Sequence, residues 1–256
     1  MSASKAKVIR DIRFYESDQP NVAGLSMPGQ PGRIFEFAVD ITAVGQRIAR
    51  KLRECGFVTG PFDHVYVNFT PLLPDHAVRW SDRKTEPWLR YVDYGLSPTL
   101  VGALPAGARG MLVAEATFRA LEALVARDPD EVAKLARVRN ELAERGSEIE
   151  ILLLTKETRR HRIVISYQIR PNDRDSVGWI EYEDLRTKER AKAPFVRLFF
   201  YEDIYSMVGA VVVSGDTIRL KPRTSFKAGL YNEHYPVPIE VSIPTLLSGV
   251  PLLPRT

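Results

Sequence analysis

Residues Glu148–Arg170 read EIEILLLTKETRRHRIVISYQIR, and this stretch decides the fold. Two apolar, β-branched runs, Ile149–Thr155 and Arg162–Ile169, flank the short polar segment Lys156–His161. This pattern predicts a β-hairpin with a charged tip. The second run alternates apolar and polar residues, so one of its faces is expected to be buried. The first run carries consecutive Ile and Leu residues, which predicts burial on both faces.

Further strands are predicted after this hairpin. A second tight hairpin is expected around Ser214-Gly215-Asp216, because Gly suits the turn between two apolar runs. A last extended piece lies between prolines, which predicts an edge strand or a tail along the surface. The predicted strands are Val177–Leu185, Phe195–Tyr201, Gly209–Val213, Thr217–Lys221 and Val237–Ile243.

Two helices are predicted directly before the first hairpin. Residues Met111–Arg127 and Pro129–Arg145 place apolar side chains three and four positions apart. Asp128 followed by Pro129 is a helix start signal, and Gly146 is a typical stop. The short link between the helices predicts an antiparallel helical hairpin.

The first third of the chain predicts a strand–helix–strand unit. A strand over Arg33–Val39 is predicted to lead into a helix over Ile41–Cys55, which Asp40 can cap. The run Val65–Phe69 is the next strand, and a short strand is also predicted over Lys7–Tyr15.

These elements together predict an α+β fold. A mainly antiparallel sheet from the C-terminal half is expected to be packed by the helical pair and extended by the strand–helix–strand unit. A single domain over residues 1–256 is expected. The alternative boundary lies near residue 100, in the proline-rich segment 70–110, which is predicted to be a long irregular connection.

The composition is that of an ordinary globular chain of 256 residues, with 45% hydrophobic and 27% charged residues. Cys55 is the single cysteine, so an internal disulfide is excluded and a reducing cytoplasm is expected. No secretion signal is expected, and no apolar run of about 18 residues predicts a membrane span. The net charge of +4 comes from 36 basic and 32 acidic residues, a small excess that mildly favours acidic partners.

No metal site and no cofactor are predicted. His64 and His76 each follow an aspartate, Asp63 and Asp75, but their spacing matches no metal-binding motif. Cys55 occupies an apolar helix position, which does not favour a reactive thiolate. Neither a serine-hydrolase elbow nor a glycine-rich phosphate loop occurs in the sequence.

Clustered carboxylates leave an enzyme open as an alternative. Glu181, Glu183 and Asp184 fall on one predicted strand, and Glu202 and Asp203 follow another. Such pairs can act as acid and base in a closed cleft. Carboxylates at strand ends are ordinarily solvated, so catalysis at Glu181 or at the aspartate–histidine pairs is the third hypothesis.

An aromatic and basic segment is the candidate partner-binding site. Aromatic and arginine side chains dominate protein interfaces and also stack on nucleic-acid bases. The candidate residues of this segment are Arg79, Trp80, Arg83, Trp88, Arg90, Tyr91 and Tyr94.

The tip of the first hairpin adds a second basic feature. Arg159, Arg160 and Arg162 are positioned to hold a phosphate backbone or an acidic protein. A charged tip also protects a sheet edge, so the feature is open to a structural interpretation.

The first functional hypothesis is a non-catalytic cytoplasmic protein that binds another protein, in the manner of an immunity or inhibitor protein, through the aromatic and basic segment. The second hypothesis is a nucleic-acid-binding protein that uses the hairpin tip. No membrane partner is predicted.

Overall fold

The computed structural model describes residues 6–20, 27–37, 40–83, 85–250 and 252–253. Helices and mainly antiparallel sheets occur together, so the fold is α+β, as the sequence predicts. The chain divides into two compact units, Met1–Gly146 and Ser147–Thr256, and residue 100 lies inside the first unit. A single domain over the whole chain stays a prediction.

The first unit combines short strands with two long helices and two shorter ones. Its elements are β1 (Lys7–Val8), β2 (Asp11–Glu16), α1 (Ile41–Glu54), β3 (Val58–Gly60), β4 (His64–Thr70), β5 (Val78–Trp80), β6 (Leu89–Gly95), α2 (Pro98–Gly102), α3 (Ala106–Val125) and α4 (Pro129–Arg145).

A four-stranded sheet in the order β2-β4-β6-β5 organises this unit. β2, β4 and β6 are parallel, and β5 is antiparallel to β6. Parallel neighbours need a crossover, and α1 supplies it between β2 and β4. Ile48 and Leu52 of α1 share the core with Val65 and Val67 of β4. β1 and β3 form a separate antiparallel pair.

The strand–helix–strand unit is present, but its first strand is β2 and not Arg33–Val39. Residues 33–37 form no strand, and residues 38 and 39 lie outside the described residues. The reason is the carboxylate of Glu16, which accepts hydrogen bonds from the backbone N–H groups of Arg33, Ile34 and Phe35. These bonds bend the segment around Glu16 and remove its N–H groups from any sheet ladder.

The prediction of an irregular connection over residues 70–110 is wrong, because β6 is a central strand of the sheet. This strand was not predicted, because the polar residues Arg90 and Asp93 interrupt its apolar pattern. Pro87 and Pro98 lie outside the ends of β6, so they do not remove a hydrogen bond from its ladder.

The predicted helical hairpin is present as α3 and α4, and α3 begins at Ala106, five residues before the predicted Met111. Its packing on the C-terminal sheet stays a prediction. Phe118 and Leu121 of α3 and Leu135 of α4 belong to the core that α1 and the parallel sheet form. Asp128 caps α4, since its side chain accepts hydrogen bonds from the N–H groups of residues 130 and 131. The hairpin therefore buries its apolar residues in the core of the first unit.

The second unit consists of two antiparallel sheets and short helices. Its elements are β7 (Glu150–Glu157), β8 (His161–Gln168), β9 (Ser176–Asp184), β10 (Arg190–Leu198), α5 (Ile204–Met207), β11 (Ala210–Ser214), β12 (Thr217–Lys221), α6 (Phe226–Asn232), β13 (Ile239–Ser242) and α7 (Ile243–Leu247).

The predicted central hairpin is confirmed as β7 and β8 in a sheet of order β10-β9-β8-β7. Ile163, Ile165 and Tyr167 of β8 are buried, as the alternation predicts. Burial of both faces of β7 is wrong, because Leu152 is 46% exposed. β7 is one of the two edge strands of this sheet, so side chains of a neighbouring strand adjoin it on one side only.

The remaining strands form a three-stranded sheet in the order β11-β12-β13. Gly215 has a φ of 56°, a left-handed conformation that suits the tight turn between β11 and β12. β13 is an edge strand, which was one of the two predicted alternatives. The three helices α5, α6 and α7 were not predicted, because each is too short to show a helical period.

Candidate functional site

Three residues of the predicted aromatic and basic segment are buried. The ring of Tyr91 packs edge-on against Tyr66 at 5.4 Å, and burial raises the pKa of Tyr91 to about 12. The hydroxyl of Tyr94 lies 2.9 Å from Nδ1 of His76. Arg83 is also buried. These side chains therefore stabilise the first unit and are not accessible to a partner.

Arg83 belongs to a buried polar network around Asp93. The carboxylate of Asp93 accepts hydrogen bonds from Arg83 at 2.8 Å and from Asn68 at 2.7 Å. Arg79 lies at the edge of this network, with its guanidinium 3.3 Å from Asp93. A buried carboxylate requires such partners, so the network has a structural role in joining the segment to β6.

The remaining residues of the segment are partly exposed. Trp80 packs near Phe62 with ring centroids 6.1 Å apart, and the guanidinium of Arg90 lies 5.8 Å from the centroid of the same Phe62 ring. Trp88 retains 39% of its surface exposed. The structure thus divides the predicted site into buried, half-buried and exposed parts.

The basic hairpin tip carries mixed charges. Arg160 forms an ion pair with Asp184 at 3.0 Å. Arg162 lies opposite Glu183 in the register between β8 and β9. Arg159 is exposed. Two of the three predicted arginines therefore lie beside carboxylates.

The carboxylates of β9 are held by neighbouring donors. Hydrogen bonding from Arg190 at 2.9 Å lowers the pKa of Glu183. The backbone N–H of Thr187, which donates at 3.0 Å, is the main cause that lowers the pKa of Asp184 to about 2. Glu181 is exposed. This arrangement stabilises the charged carboxylates and does not favour a proton donor among them.

The aspartate–histidine pairs do not meet in a metal site. Asp75 accepts a hydrogen bond from the backbone N–H of Ser97 at 2.5 Å, while His76 contacts Tyr94. Among the described residues, no three His, Cys, Asp or Glu side chains form a group that could hold a metal ion.

The other pair, Asp63 and His64, lines a cleft of about 770 Å³ at the amino ends of the parallel strands. We call it the amino-end cleft. Nδ1 of His64 lies 2.7 Å from Oδ1 of Asp63, and its ring lies 4.6 Å from that of Trp88. The sequence did not predict this site, because its residues come from distant parts of the chain. Its lining also includes Lys7, Val8, Arg10 and Arg53.

The second unit presents large apolar side chains to solvent. They come from the segment after β10 and from α6. We call this set the aromatic surface, and its members are Phe199 (70% exposed), Phe200 (68%), Phe226 (85%), Leu230 (51%) and Tyr231 (38%).

Hydrogen bonds join the two segments that carry the aromatic surface. The N–H of Phe199 donates to the hydroxyl of Tyr235 at 3.1 Å, and that hydroxyl donates to Asp203 at 2.5 Å. Burial is the main cause that raises the pKa of Tyr235. The amide of Asn232 also donates to the backbone oxygen of Ser206 at 3.4 Å. The segments are therefore fixed against each other.

The helix α6 buries little of its surface against its unit. Only Ala228 and Asn232 of its residues are buried. Ser225 caps it, since its side chain accepts a hydrogen bond from the N–H of Ala228. Phe226 and Leu230 are one helical turn apart and share a face. This four-residue spacing is the one signal for the surface in the sequence, and alone it is too short to predict a helix. Phe199 and Phe200 were expected in the strand Phe195–Tyr201, but β10 ends at Leu198.

No family model, no curated protein and no solved structure matches this chain. Among the described residues, no helix combines the length and the apolar character needed to cross a membrane.

Proposed function

We propose that this protein acts in a reducing cytoplasm by binding another protein through the aromatic surface, without catalysis, as an immunity or inhibitor protein does. The observation that carries the proposal is the exposure of Phe199, Phe200 and Phe226, each at least two-thirds accessible. Large exposed apolar patches mark interaction sites, and hydrogen bonds from Phe199 to Tyr235 and from Asn232 to Ser206 hold the two segments that carry these side chains against each other.

The energy available at this surface is large enough for specific binding. Complete burial of a phenylalanine side chain contributes about 1.5–3 kcal/mol. Phe226 and Leu230 lie on one face of α6, so they can enter a partner groove together. Aromatic anchors at the centre of an interface commonly carry most of its binding energy.

The charges near α6 indicate the kind of partner. Lys221, Arg223 and Lys227 are exposed within five positions of Phe226, and Glu233 is exposed at the other end of α6. We therefore expect the partner to have an apolar groove whose rim is acidic where Phe226 enters it, because opposite charges guide association and fix its orientation. The hairpin tip gives weaker support to a nucleic-acid partner, since Arg160 is already paired with Asp184.

The test is photo-cross-linking from the native cell extract. A photoreactive phenylalanine is placed at Phe226 and, as a control, at Met111, which is 69% exposed in the first unit. We expect one protein to cross-link from position 226 and not from position 111. The double variant Phe226→Ser and Leu230→Ser is expected to lose capture of that protein while keeping its melting temperature, because both side chains are exposed.

Two outcomes would contradict the proposal. The first is equal cross-linking from both positions, which would indicate nonspecific adhesion. The second is capture that survives the double variant but is lost on Trp88→Ala with Arg90→Ala. That result would return the binding site to the segment that the sequence predicted.

A further inference from the structure

The walls of the amino-end cleft are fixed by backbone hydrogen bonds. The N–H groups of Asp63 and His64 both donate to the carbonyl oxygen of Trp88, at 3.0 and 3.1 Å. The N–H of Arg10 donates to the carbonyl oxygen of Asp63 at 2.7 Å. Lys7 is held opposite Gly60 in the β1–β3 pair. A preformed site of this kind loses little entropy when a ligand binds.

The charge that lines the cleft is positive. Its one carboxylate, Asp63, is engaged by His64 at 2.7 Å and by Arg10 at 3.4 Å. Lys7 and Arg53 form no ion pair with any of the residues that the structure describes. Guanidinium and ammonium groups in this position suit a phosphate, which accepts several charge-assisted hydrogen bonds.

An apolar wall adjoins these charges. Trp88 is 39% exposed and Val8 is 38% exposed. An exposed tryptophan beside basic side chains is the arrangement on which planar rings stack in nucleotide-binding proteins. The volume of about 770 Å³ lies within the range of about 300–1,000 Å³ that is usual for small-molecule sites.

We infer that the amino-end cleft binds a phosphorylated aromatic molecule of the mononucleotide class. Lys7, Arg10 and Arg53 hold its phosphate, and Trp88 stacks on its base. Every residue of this site belongs to the first unit, so the inference is independent of the aromatic surface of the second unit.

A buried carboxylate at the carboxyl ends of the parallel strands explains why the ligand site lies at their amino ends. Anions usually bind beyond the carboxyl ends of parallel strands. In this protein the carboxylate of Glu16 already occupies that place at the end of β2, where it accepts hydrogen bonds from the N–H groups of residues 32–35. Lys7 and Arg53, which form no ion pair among the described residues, line the cleft at the other end.

The test is isothermal titration calorimetry of the full chain at low salt with AMP, GMP, CMP, UMP, adenosine and inorganic phosphate. We expect at least one mononucleotide to bind. Inorganic phosphate and, for AMP, adenosine should bind at least about tenfold more weakly, because each lacks one of the two contacts. Arg53→Gln should weaken nucleotide binding by about tenfold or more, and Trp88→Ala should weaken it as well.

The matched control is Arg127→Gln, the same change of charge at an exposed position outside the cleft. It should leave nucleotide binding unchanged. The inference is overturned if none of the four mononucleotides binds, if phosphate alone binds as tightly as they do, or if the two arginine variants weaken binding equally. Thermal melting of each variant confirms that the loss is not unfolding.

Discussion

Glu16 ends β2 with a carboxylate that is buried inside its own unit. Its two oxygens accept hydrogen bonds from the backbone N–H groups of Gly32, Arg33, Ile34 and Phe35, at 2.6 to 3.1 Å. A single side chain thus shapes a loop that is distant in sequence. Hydrogen bonds to a charged group contribute more than those between neutral groups, at about 1.5–3 kcal/mol each.

Replacement of Glu16 by glutamine tests this role. The amide keeps the shape but loses the charge, and its NH₂ group faces backbone donors. We expect Glu16→Gln to lower the free energy of unfolding by about 1.5–3 kcal/mol in urea denaturation. The control Glu144→Gln changes an exposed residue and should stay within about 0.5 kcal/mol of wild type. Equal effects of the two changes would show that the Glu16 carboxylate has no special role.

The tyrosines show what residue type alone does not reveal. Tyr91 and Tyr94 matched the composition of an interface, yet both are buried in the first unit. The same large rings are favoured in protein cores and at interfaces. Only the pairing of β6 with β4 and β5 decided that these two rings are internal.

Among the elements, β6 is the strand by which the proline-rich segment 70–110 joins the sheet. Gly95 ends this strand, and a Cβ atom built there would lie 1.8 Å from the carbonyl oxygen of Pro74. The N–H of Gly95 also donates to the carbonyl oxygen of Ala77 at 2.8 Å. The backbone of the segment therefore packs directly on the strand, and this close approach requires glycine.

Gly95→Ala is expected to destabilise the protein by at least about 3 kcal/mol, because a backbone carbonyl cannot move aside as a side chain can. Gly102→Ala is the matched control, since a Cβ atom there would meet nothing within 4 Å. That change in α2 should be neutral or stabilising by up to about 1 kcal/mol. Thermal and urea unfolding measure both, and a mild effect at Gly95 would mean that the segment is loosely attached.

The helix α6, unlike β6, is mostly exposed on its unit. It has seven residues, too few for a helix that is stable in isolation. Its cap Ser225 and its two buried residues hold it in place, while Phe226 and Leu230 remain exposed. The surrounding structure thus fixes an apolar helix face that it does not bury, which is why the proposed function is placed there.

At the scale of the whole molecule, each unit has its own buried apolar residues. Leu121 lies in the core of the first unit, and Ile165 lies on the buried face of β8 in the second. A separate core is what allows a part of a chain to fold as a domain. The two compact units therefore give a direct way to test the prediction of a single domain.

We expect Leu121→Ala to lower the stability of the first unit by about 2–5 kcal/mol. Hydrogen exchange measured by mass spectrometry should show lost protection in α3 and α4 and unchanged protection in β8. Ile165→Ala is the reciprocal variant. It should lower the protection of β8 and leave the protection of α3 and α4 unchanged. If each variant lowers protection throughout the chain, the units unfold together and the single domain that the sequence predicted is correct.

The sequence by itself determined the elements whose signals are local. The hairpin β7–β8, the helical pair with the Asp128 cap of α4 and the turn at Gly215 follow from alternation, helical spacing and turn residues within a few positions. The α+β class followed from their order. These features depend on neighbours in the chain, so one sequence was enough to predict them.

Only the tertiary structure decided which surfaces are covered. It placed the helical pair on the parallel sheet of the first unit and buried Tyr91 and Tyr94. It also brought Arg10, Arg53 and Trp88 into one cleft and left the aromatic surface exposed. The physical reason is that burial, and the distance between charged groups, depend on contacts between residues far apart in the chain. Residue type and local spacing do not predict those contacts.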